Sequence, residues 1–156
     1  MIFRIIKTLI ILIVGIGIGA YFFNDTQPRS FVRIKNCETN CLNPQDLAGL
    51  LVSAGIQKTP SKIPGLIKET EKTVVVDHPF PETEIHYVVF PKKDIKNISE
   101  VSQEDQEYIM DSLATIRKIV KEKNLENYQV ITNGPGYQQI TYLHFHLMSG
   151  PVRKDK

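Results

Sequence analysis

Residues 138–147, Gln-Gln-Ile-Thr-Tyr-Leu-His-Phe-His-Leu, carry the clearest pattern in the chain. The alternation along this segment has a period of two, which is typical of a β-strand that packs one face against a core. It predicts a final strand over residues 140–148. The apolar face of this strand would consist of Leu143, Phe145 and Leu147. The opposite face would carry Tyr142, His144, His146 and Met148. Two of the four histidines are therefore expected side by side on a face that is free for a ligand.

Three other short segments are predicted to be strands of the same sheet. Residues 73–76 are rich in β-branched side chains, and residues 85–90 and 128–132 combine β-branched with aromatic side chains. Turn-forming residues separate these segments, including the two prolines of residues 77–81 and the Asn-Gly-Pro-Gly run at 133–136.

Two helices are predicted outside the sheet. The long helix spans residues 102–123, with Ser102 and Asp105 as a capping pair. One apolar face of this helix consists of Ile109, Leu113, Ile116 and Val120. A shorter helix runs from Asn43-Pro44 to Gly55. Strands, a long helix and further strands in this order predict a small α+β domain with an antiparallel sheet.

Residues 5–23 form an almost continuous apolar run that is interrupted only by Lys7 and Thr8. A helix of this length spans roughly 28 Å, which is close to the hydrocarbon thickness of a bilayer. We therefore expect a single-pass membrane protein, with a cleaved signal peptide as the alternative. Positive residues flank both ends of the run, so the sequence leaves open which side of the membrane the domain faces.

The domain organisation follows from these segments. We expect a transmembrane anchor at 1–23, a linker at 24–42, an N-terminal helix and loop at 43–65, a folded domain at 66–150 and a tail at 151–156. Cys37 and Cys41 lie in the linker, where they would form a disulfide after export, or remain free thiols or half of a metal site in the cytoplasm. The net charge of +2 gives no indication of a nucleic-acid partner.

Residues 138–147 resemble the signature of histidine-triad (HIT) proteins, in which a glutamine precedes three histidines that alternate with apolar residues. The run Ile-His-Tyr-Val-Val-Phe-Pro-Lys-Lys at 85–93 is similar to the second landmark of that family, and Asn133-Gly134 is similar to its Asn-Gly turn. The resemblance covers about residues 66–150. It implies a HIT-like sheet with one long helix.

The resemblance also implies a function. HIT proteins act as nucleotidyl hydrolases or transferases, here on a nucleoside phosphoramidate or a dinucleoside polyphosphate. His144 matches the nucleophile that attacks the α-phosphorus, and His146 matches the histidine that contacts the phosphate or the leaving group. Gln138 and Asn133 match polar residues near the phosphate. No cofactor and no catalytic metal are implied.

Several positions depart from the pattern of the family. Tyr142 stands in place of the first triad histidine, and His78 stands where an acidic residue usually binds the ribose. His86 matches a supporting histidine that ligates zinc in some members, but the rest of that ligand set is absent from the expected positions, so we expect no metal. Two alternatives to the enzyme follow from these departures. One is a membrane-tethered nucleotide-binding module with little or no turnover, and the other is a metal-binding envelope protein.

A homodimer is a further expectation from the resemblance. Many relatives associate through the long helix, and Ile109, Met110, Leu113 and Ile116 would serve that contact here. Ordinary packing of the same side chains in the core of one chain is the alternative.

Overall fold

The computed structural model describes residues 2–32 and 41–152. Its helices are α1 Ile2–Phe23, α2 Pro44–Lys58 and α3 Gln106–Glu122. Its strands are β1 Leu66–Glu69, β2 Thr73–Asp77, β3 Thr83–Pro91, β4 Tyr128–Ile131 and β5 Phe145–Val152. The order of helices and strands confirms the predicted α+β class.

The five strands form one antiparallel sheet in the order β1-β2-β3-β5-β4. The centre of the sheet is the pairing of β3 with β5, in which His86 lies opposite Met148 and Val88 lies opposite His146. Because side chains alternate along a strand, residues at every second position of β2, β3 and β5 lie on the same face.

The long helix α3 covers one face of the sheet. Its apolar side packs on a cluster of buried residues: Val75, Tyr87, Val89, Ile116, Ile119, Phe145 and Leu147. The predicted capping pair begins this region, and the Ser102 backbone N–H donates to Asp105 Oδ2 at 2.8 Å. The predicted helix start at 102 differs slightly, since residues 103–105 form a 3₁₀ turn before α3.

Helix α2 covers part of the opposite face. Ile56 packs there with Val74, Val76, Val88, Phe90 and Tyr142. The predicted end of this helix at Gly55 is wrong, because the Thr59 N–H donates to the Gly55 carbonyl at 2.9 Å and the helical turn continues to Lys58. The part of this face that α2 leaves open holds the candidate site.

The predicted final strand is also corrected, since β5 begins at Phe145 and not at residue 140. Residues 138–144 form an irregular segment whose backbone groups bond to a loop and to α2 instead of a neighbouring strand. Leu143 N–H donates to the Ile95 carbonyl at 2.6 Å, and Thr141 N–H donates to the Gln45 carbonyl at 3.2 Å. The short edge strand β1, which carries Lys68 and Glu69, was not predicted because it shows no marked apolar pattern.

Helix α1 has 22 residues with a mean hydropathy of 2.3 over its most apolar window, and no part of that window is buried. It is thus long and apolar enough to cross a membrane, although a signal sequence satisfies the same criteria.

The segment that follows α1 was expected as a linker. The structure brings Gln27 and Arg29 onto the domain, where both bond to Asp94. Further along, Val32 and Leu42 form an isolated antiparallel bridge. Cys41 is disulfide-bonded, which agrees with one of the expected alternatives. Cys37 and residues 153–156 of the predicted tail lie outside the described residues.

Candidate active site

All four histidines of the chain converge on the open part of the sheet. His86 lies on β3, His146 on β5, and His78 and His144 lie immediately next to the ends of β2 and β5. The rings of His78 and His86 are stacked with centroids 4.1 Å apart, and the rings of His144 and His146 are 4.9 Å apart. They lie together because their strands are adjacent and they share one face of the sheet, although they span 69 positions (from 78 to 146) in the sequence.

The histidines form one wall of a pocket of about 580 Å³. Apolar side chains of Val76, Ile131, Ile140 and Met148 line other parts of it. Asn133 also lines the pocket, and Tyr137 lies at its edge with 81% of its surface exposed. Among the described residues that line the pocket, Glu82 is the one with a formal charge, and no lysine or arginine takes part.

His144 has a defined tautomer. Its Nδ1 lies 2.7 Å from the Tyr142 carbonyl oxygen, and since a carbonyl only accepts, Nδ1 must carry the proton. Nε2 then keeps its lone pair. Burial lowers the pKa of His144 and outweighs the opposing effect of the carbonyl, so the ring is neutral at pH 7. Thr132 Oγ1 holds the same residue by donating to its carbonyl oxygen at 2.8 Å.

The pair formed by His86 and His146 has defined tautomers as well. The Glu82 backbone N–H donates to His86 Nδ1 at 3.1 Å, so the proton of a neutral His86 is on Nε2. That Nε2–H donates to His146 Nδ1 at 2.9 Å, which places the proton of a neutral His146 on its Nε2. Burial, followed by the nearby rings of His144, His86 and His78, lowers the pKa of His146 to about 3. Burial also lowers the pKa of His86.

His78, His86 and His146 offer nitrogen atoms within 4.8 Å of one another, a spacing compatible with a metal ion. Their hydrogen bonds argue against this use. The Phe80 N–H donates to His78 Nδ1 at 3.1 Å, as the Glu82 N–H does to His86. Both rings therefore keep a proton on Nε2, and a protonated nitrogen has no lone pair for a metal.

Gln138 differs from the expectation that it lies near a phosphate. Its side chain is buried, and Nε2 donates to the carbonyl oxygens of Lys96 at 3.1 Å and Tyr142 at 3.4 Å. It stabilises the irregular segment, and the neighbouring Gln139 lines the pocket instead.

The strand interpretation predicted that Tyr142 lies on the pocket face together with His144. The structure shows that it does not. Since residues 138–144 are not a strand, the side chain turns into the core and is fully buried. Its hydroxyl donates to the carbonyl oxygens of Pro91 at 2.7 Å and Lys93 at 3.1 Å. Burial raises the pKa of Tyr142 well above its usual range.

Two residues near the site were not found from sequence. Glu82 acts through its backbone N–H on His86, and Thr132 acts through its hydroxyl on the backbone of His144. Both contacts depend on how loops close on the sheet, for which no residue pattern gives a signal. The proline pair at 79 and 81 did indicate that residues 77–81 form a turn.

Known proteins share this architecture. Residues 55–154 match the family model described as "Scavenger mRNA decapping enzyme C-term binding". An uncharacterized HIT-like protein of Chlamydia muridarum is 28% identical over 85 residues, covering 53% of this chain and 68% of that protein. An uncharacterized HIT-like protein of Buchnera aphidicola is 30% identical over 99 residues, covering 60% of this chain and 86% of that protein.

A solved structure confirms the fold. The HIT family hydrolase of Legionella pneumophila superposes with a TM-score of 0.56 at 24% identity, over 62% of this chain and 90% of that one. The family match covers more than half of the chain together with the whole pocket, from Val76 to Met148. On this evidence the chain belongs to the histidine-triad-like proteins and to the family of the scavenger mRNA decapping enzyme C-terminal binding domain.

Proposed function

We propose that the protein is a HIT-type nucleotidyl hydrolase or transferase with His144 as the nucleophile. The observation that supports this most directly is the hydrogen bond from His144 Nδ1 to the Tyr142 carbonyl oxygen. It leaves a neutral imidazole whose Nε2 lone pair is available beside the ring of His146. A buried neutral histidine with one nitrogen fixed and the other free is suited to attack on phosphorus.

In the first step, His144 Nε2 attacks the α-phosphorus of a nucleoside phosphoramidate and the bond from phosphorus to the leaving nitrogen breaks. The Tyr142 carbonyl stabilises the positive charge that develops on the ring of His144. The leaving nitrogen is protonated in the bound substrate, so it departs as a neutral amine. The neutral ring of His146 donates its Nε2–H to a phosphoryl oxygen, while its Nδ1 continues to accept from His86.

In the second step, water attacks the phosphorus of the nucleotidyl-histidine. The bond between phosphorus and His144 Nε2 breaks, and the proton that the water loses passes to bulk solvent. The products are a nucleoside monophosphate and the starting states of both histidines. His86 keeps His146 in a fixed orientation through the 2.9 Å hydrogen bond during both steps.

The charge of the pocket favours a phosphoramidate over a dinucleoside polyphosphate. No lysine or arginine lines the pocket among the described residues, and the histidines with lowered pKa values are neutral at pH 7. A single anionic phosphoryl group can be held by imidazole N–H groups and Asn133, whereas several adjacent phosphates would lack counter-charges. The apolar side chains of the pocket would contact the nucleoside.

The alternative is a nucleotide-binding module with little or no turnover. Two observations favour it. Tyr142, at the position of the first triad histidine, is used in the core. His78 offers a ring N–H where the family usually has a carboxylate, so ribose binding would differ. In this module His144, His146, His86, His78 and Asn133 would bind the nucleotide without forming a covalent bond.

The test uses the full-length chain in detergent micelles with adenosine 5′-phosphoramidate, and follows the release of AMP. His144→Ala should lower the rate by at least about 1,000-fold, because the other three histidines of the pocket keep a proton on Nε2. Lys121→Ala, on the exposed side of α3, is the matched control and should leave the rate unchanged. Equal rates for His144→Ala and wild type would exclude the enzyme. Binding of AMP without turnover by both would support the module.

Location and assembly are part of the proposal. We place α1 in a membrane as a single-pass anchor, and a protease-accessibility experiment on intact cells would identify the side that the domain faces. A homodimer through α3 would use the exposed side chains of Met110 and Leu113, whereas Ile116 packs in the core of one chain. Loss of a dimer on Met110→Glu, measured by light scattering, would support that contact.

A further inference from the structure

Arg29 lies in the segment between α1 and α2, yet its side chain is fully buried in the domain, with 0% exposed. Its guanidinium forms a bidentate ion pair with Asp94, with Nη1 2.6 Å from Oδ2 and Nη2 2.5 Å from Oδ1. The carboxylate of Asp94 is 1% exposed and also accepts from the Gln27 N–H and from Ser53 Oγ, both at 2.8 Å. Such a complete set of partners holds the guanidinium in one orientation.

The same guanidinium contacts the segment that carries the histidine site. Arg29 Nη2 donates to the Thr141 carbonyl oxygen at 2.8 Å, and Nε donates to the same oxygen at 3.2 Å. On its other side, Thr141 is held by α2, since its N–H and Oγ1 both donate to the Gln45 carbonyl at 3.2 Å. Residues 138–144 have no strand partner, so these contacts take the place of a β-ladder.

The packing around Thr141 leaves no free space. A Cβ at Gly49 of α2 would lie 2.5 Å from Thr141 Oγ1, 2.7 Å from its carbonyl oxygen and 3.0 Å from Arg29 Nε. These distances are too short for any side chain, so a residue larger than glycine would displace Thr141. Gly49, Arg29 and Thr141 thus form a close three-way contact between the N-terminal segment, α2 and the irregular segment.

Thr141 is one residue before Tyr142, whose carbonyl oxygen accepts the proton of His144 Nδ1. The Thr141 carbonyl belongs to the peptide group that joins these two residues. A rotation of this group changes the direction of the next carbonyl, because consecutive peptide planes share an α-carbon. The hydrogen bonds from Arg29 to the Thr141 carbonyl therefore also restrict the orientation of the Tyr142 carbonyl, which fixes the tautomer of His144.

We propose that Arg29 is a positioning residue for the reaction at His144, which it controls by holding the Thr141 carbonyl and thereby the orientation of the Tyr142 carbonyl. The inference rests on the proposed function for its kinetic consequence, but its structural consequence at His144 is independent of turnover. Arg29 lies outside residues 55–154, so the family match does not assign it a role. Five residues, 24–28, separate Arg29 from the end of α1, so a short segment connects the apolar helix to the contact between Arg29 and Thr141.

The first test compares two glycines of α2 in the full-length chain in detergent micelles. Gly49→Ala should displace Thr141 and lower kcat by about 10- to 100-fold, with KM changed by less than about twofold, since a small misplacement of a reacting group costs this much. Gly55→Ala is the matched control, because its Cβ would meet nothing within 4 Å on the same helix. It should leave kcat unchanged.

The second test reads the tautomer of His144 directly by ¹⁵N NMR of its ring nitrogens. In wild type, Nδ1 should carry the proton. Arg29→Lys keeps a cation beside Asp94 but cannot bond Asp94 twice and Thr141 twice at once. This variant and Gly49→Ala should shift both nitrogens toward the average of two tautomers. Ser53→Ala removes a bond to Asp94 without touching Thr141, so it should lower Tm and leave the tautomer unchanged.

The outcomes separate this inference from the proposed function. If Gly49→Ala and Arg29→Lys both retain the wild-type kcat and the wild-type His144 tautomer, Arg29 has no positioning role. If wild type releases no AMP while both variants change the tautomer, the positioning contact stands and the proposed reaction is wrong. If Ser53→Ala changes the tautomer as much as Arg29→Lys, general loss of stability explains the effect and the inference is overturned.

Discussion

At the scale of single residues, three of the clustered histidines, His86, His144 and His146, link the stability of the fold to pH. Burial lowers the pKa values of His86, His144 and His146, the last to about 3. In an unfolded chain a histidine titrates near pH 6.5. The unfolded state therefore binds more protons than the folded state below that pH, and the stability that is present above pH 6.5 is lost as the pH falls toward 3.

We therefore expect the free energy of unfolding of the wild type to be smaller at pH 5.0 than at pH 7.5. Few carboxyl groups titrate in this range, so the difference reports mainly on the histidines. His146→Gln should reduce that difference, because one group with a strongly lowered pKa is removed. Urea denaturation of both chains at the two pH values measures it. An equal difference in both chains would mean that His146 is readily protonated in the folded state.

Tyr142 provides a second prediction for a single residue. Tyr142→Phe removes a buried hydroxyl that donates to the Pro91 and Lys93 carbonyl oxygens, and leaves those acceptors without this donor. We expect a loss of about 1–2 kcal/mol in the free energy of unfolding. Tyr128→Phe is the matched control, because Tyr128 is 48% exposed on β4, and it should change stability by less than about 0.5 kcal/mol. Similar effects of both substitutions would show that the hydroxyl of Tyr142 is not structural.

At the scale of elements, the sequence predicted the central parts of the fold well. The β-branched runs predicted β2, β3 and β4 to within a few residues. The apolar face of α3 was predicted from its spacing except at Leu113, which is exposed, while Ile119 is buried in its place. His144 and His146 were placed side by side. These features depend on local periodicity, which one element shows without its neighbours.

The irregular segment 138–144 could not be predicted in the same way. Its alternation of side chains is that of a strand, yet its N–H groups bond to Ile95 and Gln45, which are distant in sequence. The direction of Tyr142 and the place of Gln138 follow from those bonds. Periodicity predicts which faces a strand would have, but it does not predict whether a partner strand is present.

The packing of α3 on the sheet gives a prediction for an element. Leu147 of β5 is fully buried in the cluster between the sheet and α3. Leu147→Ala should lower the free energy of unfolding by about 2–5 kcal/mol, because it leaves a cavity in the core. Leu113→Ala, at a position on α3 that is 41% exposed, should cost less than about 1.5 kcal/mol. Thermal or urea denaturation distinguishes the two, and equal losses would contradict this view of the core.

At the scale of the whole molecule, Gln27 and Arg29 just after α1 bond to Asp94 of the folded domain, so this part of the expected linker is docked on the domain. Arg29 and Asp94 form a fully buried ion pair between this segment and the residues that follow β3. Residues 24–28 are too few to separate the domain widely from α1. If α1 spans a membrane, the histidine pocket therefore lies close to the membrane surface. Arg29, which contacts Asp94 and Thr141 beside the pocket, connects it to α1.

This arrangement predicts where the N-terminus can be shortened. A chain that begins at residue 24 keeps Gln27 and Arg29 and should fold with nearly the stability of the domain in the full chain. A chain that begins at residue 33 retains both cysteines but removes Arg29, which leaves the Asp94 carboxylate buried without its cation. We expect this second chain to be less stable by about 3–5 kcal/mol, because an unpaired buried charge is strongly unfavourable. Urea denaturation of the two chains measures the difference.

Asp94→Asn in the shorter chain should recover part of the loss, since a neutral amide is less costly to bury than an unpaired carboxylate. Equal stability of the two chains would show that Arg29 docks on a domain that does not need it.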